Sequence, residues 1–537
     1  MRDTSTPTVV IGAVLASAAT ITWLALVAAY WTFTVDDTFI LLRYADHVAR
    51  GIGPTWNVDG PPAEGYTSPL WVAVLAIARG FGATSVLAPK VLGVLAMGAA
   101  IALVARLAWR VAERTERGAV AIEVQPALAS GCAAFVMAAW PATAIHSVSG
   151  METALATCLV AAYALALVET LETRTAARAA TAAALGLAAS LARPELNLFV
   201  ALASLLALTR LDGPGRARFA LSVLALHVIP GAIYFAWRVR YYGLWLPLPF
   251  YVKAALPGTT FAGVDEALGF ARALLVERID VGIAVAVGVV GARRSLAPLA
   301  LAALAVWLFF FVPAHEMGFD HRYPFPIVPV LAACAGVGVA RIAGWLRAPS
   351  GRAWSPAAMA SIVAVSAFAS SAPHLAGSLA EKRDYGAGIE RAHARIGRAL
   401  HELGGAIDRP VIAALDVGAI AYFSQWTVID TWGLNEPRVA RTGRRDAEPV
   451  LAESPSVVIV VSSRADRFAP HFEHEQALWD GAHARGMAQV ARFEFLPDYQ
   501  LLALATPGSP VASALEAASS TRASALASAE PPSARAP

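Results

Sequence analysis

Residues 34–71 read TVDDTFILLRYADHVARGIGPTWNVDGPPAEGYTSPLW. They follow an apolar run, residues 8–31, that is long enough to cross a bilayer, because a span needs about 20 apolar residues. Two adjacent carboxylates, Asp36 and Asp37, therefore stand where the first span should leave the membrane. Ionisable groups at such an edge are costly to hold and usually mark a functional cavity. What the pair can do depends on what the rest of the chain brings beside it.

Composition sets the class. Of 537 residues, 57% are hydrophobic and only 15% charged, and the mean hydropathy is +0.56. Soluble domains carry roughly a quarter charged residues, so this is an integral membrane protein with a smaller soluble part. A net charge of +3 gives no reason to expect a nucleic-acid partner. Cys132, Cys158 and Cys334 all lie in apolar runs and read as small core residues, not as a disulfide or metal framework. The start, MRDTSTPTVV, has one arginine and no evident cleavage site, so the first run reads as an uncleaved span.

Ten further apolar runs follow: 86–105, 127–146, 150–169, 177–192, 195–210, 219–237, 279–292, 295–313, 325–345 and 355–373. With the first they make about eleven transmembrane helices. The stretch 68–82 is apolar but short, and Gly80 and Gly82 end it. Lying flat at the interface, it leaves the arginine clusters 106–117, 174–178, 210–218, 293–294 and 341–352 together on the cytoplasmic side. The N-terminus is then inside, and residue 374 onward is outside. Five polar islands share the outer face: the opening stretch, HSVSGME (146–152), ARPE (192–195), RVRYYGLWLPLPFYVKA (238–254) and HEMGFDHRYP (315–324).

The expected organisation has three parts. Residues 1–374 form the transmembrane module, 375–509 a small extracytoplasmic α/β domain, and 510–537 a disordered Ala/Ser/Pro-rich tail. In the second part, residues 381–403 have helical periodicity. PVIAALDVGAIAYFS, WTVIDTWGL, SVVIVVSS and YQLLALATP read as strands, and 472–486 as another helix. GVGVA, 336–340, lies in a span and reads as small-residue helix packing, not a phosphate loop.

The chemistry-bearing candidates sit in the islands. Two neighbouring carboxylates repel, and low dielectric raises the pKa of at least one. Asp36 or Asp37 can then act as a base toward a hydroxyl, or the pair can hold a divalent cation such as Mg or Mn. One of them can also cap the helix that begins DDTFILLRYADHV. Glu64 can cap, bind a hydroxyl or ligate a cation. Tyr66 and Trp71 can stack on a sugar ring or anchor at the interface. Arg43, seven residues after Asp36 and on the same helix face, can balance the carboxylates or meet a phosphate. Arg193, Lys253 and Arg322 are anion-site candidates, with membrane-edge snorkelling as the competing role. His146, Glu152, His315, Glu316 and His321 can support a site, but no spacing among them makes a zinc signature.

These residues resemble the GT-C superfamily of glycosyltransferases. The likeness is to the group that includes the mycobacterial terminal β-(1→2)-arabinofuranosyltransferase and related bacterial membrane enzymes. It rests on the acid pair followed by FILLRYA, on EGYTSPLW, and on SGMETAL (149–155), RPE (193–195, with Glu195), YYGLWLPLPFYVKA (241–254, with Tyr242), DHRY (320–323) and LDVGAIAYFS…VIDTWGLNEPRVA. The resemblance implies a sugar transferase of a bacterial plasma membrane. Its donor would be a polyprenyl-phosphate-linked sugar and its acceptor a glycan or glycolipid. Asp36 or Asp37 would activate the acceptor hydroxyl, Glu64 would shape that site, and Lys253, Arg193 and Arg322 would hold the donor phosphate. A lipid-linked sugar flippase and a non-catalytic envelope assembly protein are the alternatives. A transporter predicts repeats and mid-bilayer charges, and the charges here cluster at the edge.

Overall fold

A computed structural model describes residues 5–83, 85–116, 124–254, 263–313, 317–347 and 356–527. The chain divides into two compact units. The larger contains residues 1–33, 67–245 and 256–381; the smaller contains 34–66, 246–255 and 382–537.

The larger unit is a helix bundle. Among the described residues six helices are long and apolar enough to cross a membrane: Thr8–Ala29, Leu87–Thr115, Thr153–Thr173, Gly213–Tyr242, Phe319–Leu346 and Pro356–His401. The run expected as one span over 127–146 is instead two helices, Pro126–Ala138 and Pro141–Val148, bent by 64°. Pro141 is the cause: Trp140 before it is extended, at φ −78° and ψ 122°, as a residue preceding proline prefers. Ala176–Ala192, Leu196–Leu208, Ile279–Gly291 and Pro69–Gly80 are shorter apolar helices. The first span exposes Val9, Val14, Ile21 and Leu24, the apolar surface a lipid-facing helix requires. The chain is a multi-pass membrane protein.

Close helix contact depends on glycine. A Cβ on Gly338 would lie 1.8 Å from the Ala284 carbonyl oxygen, and one on Gly288 would lie 2.0 Å from that of Cys334. Helices Ile279–Gly291 and Val328–Arg347 can therefore approach backbone to backbone, the usual way membrane helices gain packing energy. Several of the arginine clusters do meet. Arg178 pairs with Glu169 at 2.7 Å, Arg114 with Glu172 at 2.6 Å, Arg218 donates to the Arg174 carbonyl at 3.2 Å, and Arg210 to that of Arg293 at 2.9 Å.

The smaller unit is built on a five-stranded sheet: β1 (Val411–Ala414), β2 (Thr427–Asp430), β3 (Val457–Ser462), β4 (Ala488–Leu496) and β5 (Tyr499–Ala505). The order is β2-β1-β3-β5-β4. β1 pairs in parallel with both β2 and β3, and β5 runs antiparallel to β3 and β4. Ala413, Val458, Val460, Leu502 and Leu504 pack against Val450, Leu451, Leu478 and Ala482 on one face. The stretch 410–424, expected as a single strand, is β1 followed by helix Gly418–Ser424, and the expected 472–486 helix is His474–Ala484. β4 alternates buried and exposed residues weakly and was not anticipated.

Two boundaries differ from expectation. Residue 374 falls inside a continuous helix, Pro356–Ile389, which passes through a π-helical turn at Glu390–Ala394 into Arg395–His401. The expected disordered tail begins with a helix, Pro510–Ala527. Val511, Ala512 and Leu515 are buried, so one face finds a partner that composition alone does not reveal. Residues 528–537 lie outside the described residues.

Candidate active site

In the smaller unit, the acid pair splits into two roles. Asp36 precedes helix Asp37–Ala49, but its side chain makes no capping bond to that helix. It turns instead to helix Gly418–Ser424. Its two carboxylate oxygens accept from the N–H groups of Gly418 at 2.9 Å and Ala419 at 2.8 Å. A helix N-terminus offers unpaired donors and a positive dipole end, which suit an anion. The sequence expectation that one aspartate caps its own helix is thus replaced by a cap across 382 positions of chain.

Gly418 makes this docking possible. A Cβ there would lie 2.1 Å from the Asp36 carbonyl oxygen and 2.6 Å from its Oδ2. Gly418→Ala should cost about 1–3 kcal/mol, the range for forcing an extra methyl into a packed site. A thermal melt of purified protein checks it, and an unchanged midpoint would mean that the contact is not fixed.

Around Asp36 lies a buried titratable group. His393 Nε2 lies 3.0 Å from Asp416 Oδ2 and stacks edge-on against Phe495. Burial pushes the Asp36 carboxyl up to about 6; Asp416 and Asp37 add to the rise, while His393 and the Ala419 N–H oppose it. His393 sits in the π-helical turn, a feature frequent at functional sites. Asp416 follows β1, the strand flanked by the two parallel neighbours, where the direction of chain winding reverses. Open α/β sheets bind ligands outside the carboxyl ends of their strands at such points. The sequence reading missed both residues: Asp416 lay within a quoted motif, but the π turn has no sequence signature.

Asp37, in the first turn of its helix, is half-buried. Both Asp36 oxygens are thus committed to main-chain donors. Among the described residues no three His, Cys, Asp or Glu side chains converge to hold a metal ion. No step below uses a divalent cation.

The other sequence candidates described in this unit have partners within it. Arg43, expected to balance the acids or meet a phosphate, is buried and donates to the carbonyls of Trp56 at 2.9 Å, Ala421 at 2.6 Å and Trp426 at 2.8 Å. It ties residues 56–57 to the C-terminal end of helix Gly418–Ser424. Tyr66, a candidate sugar platform, is buried edge-on against Tyr44 at 4.9 Å. Glu64 is buried, and its carbonyl accepts from Leu248 N–H at 3.0 Å. Asp430, which was not anticipated, is buried and organises the following loop by accepting from the backbone of Trp432, Gly433 and Asn435. Lys253 belongs to helix Leu248–Ala254; its side chain, like His315 and Glu316, lies outside the described residues.

The membrane unit brings a second group together. Glu152 is buried, with Arg322 at 3.2 Å and Arg193 at 3.9 Å. Arg193 also pairs with Glu195 at 2.5 Å and donates to the Arg322 carbonyl at 2.9 Å. Both guanidiniums lie over Tyr323. Burial raises the Glu152 carboxyl, but Arg322 and Arg193 outweigh it and hold the group below its usual value. Two cations and two anions cancel, so the arginines assigned to a donor phosphate are spent on internal partners. His146 is fully buried and bonds the Asp320 carbonyl at 3.0 Å. Trp71 bonds the Gly150 carbonyl at 3.0 Å, and Tyr242 is buried edge-on against Tyr241.

His321 is different. It lies edge-on to Phe270, 5.7 Å between ring centres, and lines a cavity of about 210 Å³ together with Asp320, Trp140, Arg278 and His374. Asp320 and His321 have φ of 47° and 59°, a left-handed backbone that non-glycine residues rarely adopt. Such strain gathers at ligand sites. Arg278 and His374 were not singled out from the sequence, since neither belongs to one of the five polar islands. Lys90, also missed, donates to the carbonyls of Trp31 and Phe33 at 2.5 and 2.6 Å and fixes the exit of the first span.

The same architecture is found in solved membrane transferases. ArnT from Cupriavidus metallidurans bound to undecaprenyl phosphate superposes with a TM-score of 0.57 over 91% of this chain and 97% of its own, at 12% identity. Its apo form gives 0.58 over 94% and 98%, at 13% identity. This chain shares the fold of ArnT. Arabinofuranosyltransferase AftD from Mycobacteria matches at 0.50 and 15% identity over 92% of this chain, which spans only 42% of AftD. A family described as a domain of unknown function (DUF8728) matches residues 384–513, within the smaller unit. No curated protein matches the sequence.

Proposed function

We propose that this protein transfers a sugar, a pentofuranose being the candidate, from a polyprenyl-phosphate donor to a hydroxyl of an envelope glycan or glycolipid. The reaction would run on the extracytoplasmic face of a bacterial plasma membrane. The observation that carries the reading is the setting of the acid pair, on a GT-C fold: Asp36 pinned by two main-chain N–H groups, and Asp37 next to it, half-buried in the first turn of its helix.

The chemistry balances with one base. The acceptor oxygen bonds to the anomeric carbon, and its proton passes to Asp37. The bond from that carbon to the phosphate oxygen breaks, and the polyprenyl phosphate leaves with the electron pair. General-base assistance of this kind contributes about 10²–10⁴-fold. In the membrane unit, the cavity lined by Arg278, His321 and His374 is the candidate for the donor headgroup.

The test is reconstitution in liposomes with radiolabelled polyprenyl-phosphate pentofuranose and hexose donors and an oligosaccharide acceptor. Label should appear in the acceptor, with one polyprenyl phosphate released per sugar. Movement of the donor between leaflets without transfer would support the flippase reading instead. Washing with EDTA should leave turnover unchanged, because main-chain donors already hold both Asp36 oxygens; loss restored by Mg or Mn would return a cation to the site.

A further inference from the structure

His393 has no part in the transfer described above, yet its burial is unfavourable. It is 1% exposed, and its Nδ1 is buried with no hydrogen-bond partner among the described residues. Leaving a buried nitrogen unpaired is destabilising. A phenyl ring would pack edge-on against Phe495 as the imidazole does and would bury no unpaired atom. What the imidazole adds is one bond, from Nε2 to Asp416 Oδ2 at 3.0 Å. A carboxylate oxygen only accepts, so Nε2 carries the proton.

Asp416 stands between β1 and helix Gly418–Ser424. It comes two residues before the Gly418 N–H and three before the Ala419 N–H, the two donors that hold the Asp36 carboxylate. Fixing Asp416 therefore fixes the start of that helix. Tyr499, on β5, bonds the same carboxylate, so Asp416 is held from two sides.

The π-helical turn lets one helix reach Asp36 by two routes. Tyr385 and His393 are eight positions apart, more than two α-helical turns of about 3.6 residues each. The wider turn at Glu390–Ala394 takes up the excess. Both rings then lie edge-on against Phe495, at 5.0 and 4.7 Å. The Tyr385 hydroxyl accepts from the Asp36 N–H at 3.5 Å. His393 reaches the Asp36 carboxylate through Asp416 and the helix start.

We infer that His393 is a positioning residue for the acid pair. By holding Asp416 it orients the two N–H groups that pin Asp36, and through Asp36 it sets the place of Asp37, the next residue. The role of the acid pair rests on the transferase reading; how the pair is held does not depend on it. A misplacement of about 1 Å remote from the chemistry can slow a reaction by ~10²-fold, so a contact two residues from the donors is close enough to matter.

Both steps are measured on the full detergent-solubilised protein. Hydrogen exchange read by mass spectrometry follows the 415–424 peptide, and liposome transfer assays give kcat and both KM values. In His393→Leu the Gly418 and Ala419 amides should exchange roughly five- to tenfold faster, the effect of weakening one hydrogen bond. Its kcat should fall roughly 10- to 100-fold, with donor and acceptor KM within about twofold of wild type. His393→Gln keeps a donor near the Nε2 position and should recover most of both losses, which a role in packing alone would not produce. Asp416→Ala breaks the same link from a side chain that is 21% exposed, and it should match the leucine variant, standing in for it if that protein does not fold. Unchanged exchange in these variants overturns the inference. So does faster exchange at an unchanged kcat, or a glutamine variant no better than leucine. A wild type that transfers no sugar removes the transferase reading, and exchange alone then decides how Asp36 is held.

Discussion

Asp37→Asn should reduce sugar transfer by about 10²-fold or more while leaving the thermal midpoint within about 0.5 kcal/mol of wild type. The residue is half-buried at a helix start, so the amide fits where the carboxylate was but accepts no proton. Asp36→Asn should act differently. Its carboxylate accepts two N–H bonds, and an amide has one acceptor, so Gly418 or Ala419 N–H is left facing an NH₂ group. Its pH signature is also distinct. The Asp36 pKa, raised from 3.8 to about 6, means that the fold favours the protonated form. That contribution is fully present below about 3.8 and is lost as pH rises through about 6, so stability should fall across this window. Asp430, also raised from 3.8 to about 6 by burial, slopes the same way. Melts of wild type and Asp36→Asn from acid to neutral pH therefore isolate the Asp36 share as the difference in slope. If Asp37→Asn transfers sugar at the wild-type rate, Asp37 is not the base.

The sequence made the membrane class, the polar islands and the GT-C likeness legible because each rests on local pattern: apolar runs of span length and short motifs. Partner choice is where it failed. Arg43 looked like a counter-ion because it lies seven residues from Asp36, yet its acceptors include the carbonyls of Ala421 and Trp426, nearly 400 positions away. Arg193 and Arg322 looked like phosphate ligands until Glu152 and Glu195 were found against them. His393 escaped notice because a π turn, invisible in composition, aims it at Asp416. Pro141 was a readable signal for the broken span, and the apolar run around it masked that signal.

Glu152→Ala tests the remaining conflict between the two readings of the arginines. If Arg193 and Arg322 are held as an internal quartet, removing Glu152 takes the carboxylate that both guanidiniums share. Stripping one partner from a buried ion pair costs about 3–5 kcal/mol. The thermal midpoint should drop sharply, and the donor KM of whatever protein remains folded should not change. Glu152→Gln, which keeps an acceptor 3.2 Å from Arg322 but no charge, should fall between the two. If instead the arginines serve a donor phosphate and Glu152 merely holds their place, its removal frees positive charge. Donor affinity should then rise, and added inorganic phosphate should restore the midpoint. The geometry favours the first outcome. Arg193 donates to a main-chain carbonyl and pairs with a second carboxylate as well as facing Glu152, contacts that orient it toward the protein interior and not toward a ligand.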